Sequence, residues 1–160
     1  MRHIFAFLLG LSMALPAAAS DYITQYIGYF DVTQDDNAAA QFGAQYRGKD
    51  VYYGIRPTVG ADVSSDGAIY GYGGFYWDVP LSDNWIFTPN IVAGLFSDGD
   101  GKDLGHAIEF RSGLELSYQF ENAQRLGVAF NHISNASLGR RNPGAETLQL
   151  VYQMPLGAWE

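Results

Sequence analysis

Three side chains in the last third of the sequence have the types that acyl transfer needs. His132 and Ser134 stand two residues apart in Phe130-Asn131-His132-Ile133-Ser134-Asn135-Ala136, and Glu146 follows the serine by twelve, at the end of Asn142-Pro143-Gly144-Ala145-Glu146. A histidine can take the proton of a serine hydroxyl, and a carboxylate can hold that histidine in the required tautomer, so the set contains base, nucleophile and orienting acid. Composition alone does not demand this reading. A chain with three histidines places one near a serine by chance, and a strand-capping histidine beside a loop serine is the plain alternative. No Gly-x-Ser-x-Gly elbow is present, which argues against a soluble α/β-hydrolase. The decision rests on the elements that would carry these residues.

Eight runs of alternating character fill the chain after its first residues: Tyr22-Val32, Ala38-Arg47, Val51-Val63, Ala68-Trp77, Trp85-Phe96, His106-Phe120, Gln124-Ser134 and Ala145-Met154. Most are near the ~9–11 residues of a tilted membrane strand. Gly48-Lys49-Asp50, Ser64-Ser65-Asp66-Gly67 and Glu121-Asn122-Ala123 between them suit hairpin turns. Nineteen Gly, eleven Tyr and ten Phe with few charges favour strands and turns over helices. An antiparallel up-and-down barrel follows, because closure removes exposed sheet edges. Gly71, Gly73 and Gly74 predict a bend or bulge in the fourth run.

Upstream of the first run, Met1 to Ala19 reads as a secretory leader: Arg2 and His3 precede an apolar core from Ile4 to Leu15, and Ala17-Ala18-Ala19 offers a small-residue cleavage site. Residues 20–160 then form one barrel domain, with no cysteine to staple it. No later segment approaches the ~20 apolar residues of a membrane-crossing helix, so any insertion must use strands. A formal charge of −8 argues against nucleic acid as a partner.

Parity divides each run into two faces. Ile108, Phe110, Leu114, Leu116, Tyr118 and Phe120 oppose Glu109, Arg111, Glu115, Ser117 and Gln119; the run beginning at Ala38 splits in the same way. A polar face with both signs of charge fits either a solvated sheet face or the filled interior of a small outer-membrane barrel. Three features favour the membrane barrel. Aromatics gather towards run ends at Tyr22, Tyr52, Tyr53, Tyr76, Trp77, Trp85, Phe120 and Tyr152. The longest connections are the fifth and seventh, Ser97-Gly105 and Asn135-Gly144, whereas the second and sixth are short. With both termini in the periplasm, the long odd-numbered connections face outward. His132, Ser134 and Glu146 then continue the apolar parity of Leu126, Val128 and Phe130 and of Leu148 and Leu150. Polar groups on the lipid-facing wall cost free energy, which makes a functional reason for them more persuasive.

These two segments resemble the signature of the lipid A 3-O-deacylase family (PagL-type), and a weaker likeness extends along the chain. The resemblance implies an eight-stranded outer-membrane barrel that hydrolyses the ester-linked acyl chain at position 3 of lipid A, with no metal or organic cofactor. It assigns Ser134 as nucleophile, His132 as general base and Glu146 as orienting carboxylate. Asn142 and the backbone N–H groups near Asn135 and Ala136 become candidate oxyanion donors. Ser137 stands where many relatives would carry glycine. The chain ends Ala158-Trp159-Glu160, where outer-membrane proteins commonly end in an aromatic residue.

Other signals are weaker. Arg140 and Arg141 could pair with lipid A phosphates, or merely solvate a loop. Asp98, Asp100, Asp103 and Glu109 suggest a calcium loop, but Lys102 takes a ligand place and Asp103 replaces the turn glycine, so a solvated acidic loop is the expectation. Lipopolysaccharide and the outer membrane are the expected partners. The oligomeric state is open, with a homodimer as one option. Two competing functions remain at this stage: a non-catalytic outer-membrane barrel for adhesion or envelope stability, and a secreted soluble barrel with its apolar parity turned inward around a ligand.

Overall fold

A computed structural model describes residues 20–34 and 37–157. The expected leader and the terminal Ala158-Trp159-Glu160 lie outside the described residues. The strands are β1 (Tyr22–Phe30), β2 (Ala39–Arg47), β3 (Ile55–Ser64), β4 (Ile69–Trp77), β5 (Val79–Pro80), β6 (Trp85–Ser97), β7 (Ile108–Gln119), β8 (Arg125–Ser134) and β9 (Ala145–Pro155). All pair antiparallel, each long strand with its chain neighbours; β4 pairs with β6 and β1 with β9, so eight strands close into a barrel. The short β5 only extends the edge of β6. The described residues of loop 31–38, with loops 65–68, 98–107 and 135–144, lie at one end of the barrel and segments 48–54, 78–84 and 120–124 at the other.

The parity expectation holds, and it settles which way the wall faces. Ile27, Phe42, Val59, Ile69, Phe75, Ile91, Leu114, Val128 and Leu150 are exposed, while Gln45, Arg47, Arg56, Asp62, Arg111, Glu115 and Gln149 are buried. An apolar exterior around a polar interior is stable only where the surrounding solvent is apolar, and closure satisfies every strand edge. This is a membrane-spanning barrel; the soluble barrel with an apolar interior is excluded.

The interior is packed. Arg47 pairs with Glu115 (2.6 Å), Arg111 with Asp62 (2.7 Å), and Arg56 and Arg125 both with Asp78 (2.7 Å each). Tyrosine rings fill the space between them: the guanidinium of Arg47 lies 3.9 Å from the Tyr76 ring centre and that of Arg111 4.1 Å from Tyr72. A Cβ on Gly43 would fall inside the Tyr26 ring, so glycine there makes room for the aromatic. Arg56, Glu109, Arg111 and Glu115 are all buried. Glu109 differs from the other three, because neither of its carboxylate oxygens has a hydrogen-bond partner among the described residues.

Three expectations are corrected. Tyr22 and Tyr76 belong to the lumen and not to an aromatic girdle, because they share the inward parity of Thr24 and Tyr72. Tyr52, Tyr53, Trp77, Trp85 and Phe120 remain outward. The third strand starts at Ile55 and not at Val51, since Tyr53 and Gly54 take positive φ (45° and 91°) and the chain reverses between Val51 and Ile55; the connection before it is therefore longer than Gly48-Lys49-Asp50. Finally, β4 has no bulge: its pairing with β3 and β6 runs without a skipped residue through Gly71, Gly73 and Gly74.

Candidate active site

At the end of the barrel that carries loops 31–38, 98–107 and 135–144, the last residues of β8 meet the first residues of β9. Antiparallel register sets His132 directly opposite Glu146 and Ser112 of β7 opposite His132 on the other side. Opposed residues of one face lie within about 4.5–5.5 Å, and the two longer side chains close the remaining gap. His132 Nδ1 stands 2.9 Å from Glu146 Oε1. This partner selects the tautomer with hydrogen on Nδ1, which leaves Nε2 as an acceptor. The imidazole is 48% exposed and the carboxylate 22%, so the pair sits on the outer wall and not in the lumen.

Ser134 shares the outward face of His132 two residues further along β8 and is half-buried. Its cross-strand neighbour is Phe110, and Phe130 and Leu148 continue the apolar wall along the strands below it. The Ser134 hydroxyl makes no hydrogen bond to the imidazole. Catalytic hydrogen bonds of this kind commonly tighten only when substrate is bound. Gly144 lies against the ring: with φ +63°, a Cβ on it would stand 2.9 Å from His132 Cε1, so glycine is required both for the backbone and for the seat of the imidazole.

After Ser134 the chain makes a tight turn in which Ala136 and Ser137 both have positive φ (50° and 66°) and the Leu138 N–H donates to the Asn135 carbonyl (3.0 Å). The position of Ser137 is thus one that glycine would occupy without strain. Asn135 is wholly buried and anchors the turn: its Nδ2 donates to the carbonyls of Leu104 and Arg141 (2.8 Å each), and its backbone N–H donates to Asn142 Oδ1 (2.9 Å). Of the candidate oxyanion donors, the Asn135 N–H is therefore already engaged. Asn142, with its oxygen fixed by that bond, keeps its amide NH2 for another acceptor, and the Ala136 N–H lies next to it in the turn.

The two arginines behave differently from one another. Arg141 is tied to Asp103 in an exposed ion pair, while Arg140 is exposed at the tip of the loop. Asp103 is thereby accounted for by its arginine partner and not as a cation ligand; no group of three or more potential metal-ligating side chains occurs among the described residues. One contact was not foreseen from the sequence: Thr33, in loop 31–38, donates its hydroxyl hydrogen to Glu146 Oε2. Thr33 precedes Glu146 by 113 residues in an irregular segment, so no spacing rule could have joined them.

Comparison with known proteins shows what the chain as a whole is similar to. The curated relative "Lipid A deacylase PagL" of Pseudomonas aeruginosa is 36% identical over 75 residues, which are 42% of this chain and 43% of that protein. Its counterpart in Bordetella bronchiseptica is 29% identical over 72 residues, 44% of this chain and 40% of that one. The matched stretch thus spans about two-fifths of the length of either relative. Among solved structures, that of the outer membrane enzyme PagL superposes with a TM-score of 0.62 at 21% identity, covering 84% of this chain and 99% of that one. A de novo designed transmembrane β-barrel superposes at 0.58 with 13% identity, over 86% and 98% of the two chains, which marks the likeness as one of fold. The profile of one family, lipid A 3-O-deacylase (PagL), runs through residues 40–155 and so takes in nearly the whole barrel with His132, Ser134 and Glu146; the chain belongs to that family.

Proposed function

We propose that the protein is an outer-membrane esterase that hydrolyses the acyl ester at position 3 of lipid A, with Ser134, His132 and Glu146 as its catalytic set. The observation that carries this reading is the 2.9 Å contact between His132 Nδ1 and Glu146 Oε1 on the outer wall of a membrane barrel, two residues from a serine on the same face. Ionisable groups there are costly, and their arrangement is the one that serine acyl transfer uses.

The steps follow from the tautomer. His132 Nε2 takes the Ser134 hydroxyl proton as Oγ attacks the ester carbonyl carbon, and Glu146 stabilises the imidazolium that forms without itself taking the proton. The carbonyl oxygen becomes an oxyanion, for which the Asn142 amide and the Ala136 N–H are the available donors. Collapse expels the sugar alkoxide, which receives the proton from His132, and the acyl chain remains on Ser134. Water then repeats the sequence, releasing a free fatty acid. Phe110, Phe130 and Leu148 give the acyl chain an apolar wall to lie against, so substrate can arrive sideways from the membrane without entering the packed lumen. With the N-terminus in the periplasm, the end that carries the site faces the cell exterior, where lipid A resides. Arg140, free at the loop tip, is suited to a lipid A phosphate; Arg141 would have to leave Asp103 first.

The test is acyl release from purified lipopolysaccharide, read by mass spectrometry. The intact protein should remove one ester-linked chain. Ser134→Ala and His132→Ala should each lose more than about a thousandfold in rate while keeping heat-modifiable migration in detergent, and Glu146→Ala should lose less. A folded Ser134→Ala protein with ordinary turnover would end the serine-esterase reading, and a wild-type protein that releases no fatty acid would point to a non-catalytic barrel.

A further inference from the structure

The carboxylate of Glu146 has two oxygens, and His132 uses only one of them. A carboxylate held at one oxygen can still turn about its last carbon–carbon bond and swing the imidazole with it. Here the second oxygen, Oε2, accepts a hydrogen bond from the Thr33 hydroxyl, while the Val32 N–H donates to the Glu146 backbone carbonyl (3.0 Å). Loop 31–38 therefore holds Glu146 at both its side chain and its backbone.

That loop is itself held from across the barrel mouth. Lys102 Nζ lies 2.7 Å from Asp31 Oδ1 and 2.9 Å from Gln34 Oε1, the residues that bracket Val32-Thr33. Asp31 is wholly buried and Lys102 nearly so, although the sequence places this lysine in a loop of charged residues where solvation would be expected. A buried ammonium and carboxylate persist only when paired with good geometry, and removing one strands the other. The same short segment reaches the nucleophile side: the Leu104 carbonyl accepts from Asn135 Nδ2, beside Ser134, at 2.8 Å. Residues 102–104 thus brace both halves of the site, one through Thr33 and Glu146, the other through Asn135.

We propose that Thr33 is a positioning residue for the esterase reaction, fixing the orientation of Glu146 and through it His132, and that Lys102 sets Thr33 by clasping Asp31 and Gln34. The inference rests on the esterase reading above. Neither Thr33 nor Lys102 touches the reacting atoms in this scheme, so their loss should lower kcat and leave KM unchanged.

Two measurements on the purified full-length barrel in detergent micelles test it. In the first, initial rates of acyl release from lipopolysaccharide are compared for wild type, Thr33→Val, Thr33→Ser and Lys102→Met. Thr33→Val should lose about tenfold in kcat at constant KM, the scale of one hydrogen bond to a charged group. Thr33→Ser, which keeps the hydroxyl, should recover most of the rate, and Lys102→Met should fall in the same direction as Thr33→Val. In the second, the His132 Nδ1 proton is followed by NMR: it should be protected from exchange in wild type and Thr33→Ser and broadened by exchange in Thr33→Val. Wild-type kcat in Thr33→Val, equal losses in the Val and Ser variants, or an effect confined to KM would each overturn the proposal. A wild-type protein that shows the protected proton but releases no acyl chain would sink the esterase reading and leave the positioning of Glu146 by Thr33 standing.

Discussion

At the scale of single residues, the candidate site shows both what a sequence pattern carries and where it stops. His132, Ser134 and Glu146 could be set on one face because strand alternation is rigid: a residue two positions on points the same way, and the register across β8 and β9 does the rest. The Asn135 N–H, a candidate oxyanion donor by its position, donates to Asn142 Oδ1; whether a loop amide is spent or free depends on where its neighbours fold back. Thr33 was illegible for the same reason. At Ser137, where many relatives would carry glycine, the backbone is left-handed with φ 66°, which a serine does not announce in a sequence. Its cost is measurable. Replacing Ser137 with glycine should stabilise the folded barrel by about 1 kcal/mol, since a left-handed non-glycine residue costs roughly 1–2 kcal/mol; the urea midpoint of refolding in micelles would show the shift, and a lower midpoint would mean that the hydroxyl makes an unrecognised contribution.

At the scale of the strand, alternation was enough to bound all eight barrel strands to within a few residues, and it failed where the chain kept the pattern but left the sheet. Val51, Tyr52 and Tyr53 look like strand, yet Tyr53 and Gly54 turn left-handed and the three side chains stand exposed beyond the barrel wall. The glycines of β4 are no sign of a bulge: pairing runs past all three without a skipped residue, and a Cβ on Gly71 would meet nothing within 4 Å. Within β7, two inward carboxylates should respond in opposite ways to the same change. Glu115→Gln leaves Arg47 buried beside a neutral partner and should cost about 3–5 kcal/mol, the scale of breaking a buried ion pair. Glu109→Gln removes a buried carboxylate that has no partner and should leave stability unchanged or raise it. Unfolding of both variants in the same detergent checks this, and a large loss in Glu109→Gln would reveal a partner for that carboxylate.

At the scale of the whole molecule, the placement of the site depends on which end of the barrel faces out. Loop 98–107 and segment 48–54 lie at opposite ends, and single cysteines in a chain that has none report on each. Asp100→Cys should react with a membrane-impermeant maleimide on intact cells, and Lys49→Cys should react only after the outer membrane is opened; the reverse pattern would put His132, Ser134 and Glu146 at the periplasmic end and end the proposed route of access. The overall form was the most legible part of the sequence, because polar residues of both charges on one face of every strand leave few other architectures. The packed interior has one more result. Arg47 lies on the Tyr76 ring and Arg111 on the Tyr72 ring, and Arg111 Nη2 donates to the Tyr76 hydroxyl at 3.3 Å, so these four buried side chains form one linked plug in the lumen. A barrel plugged in this way should pass no ionic current when reconstituted in a planar bilayer, and steady single-channel conductance would show that the plug opens.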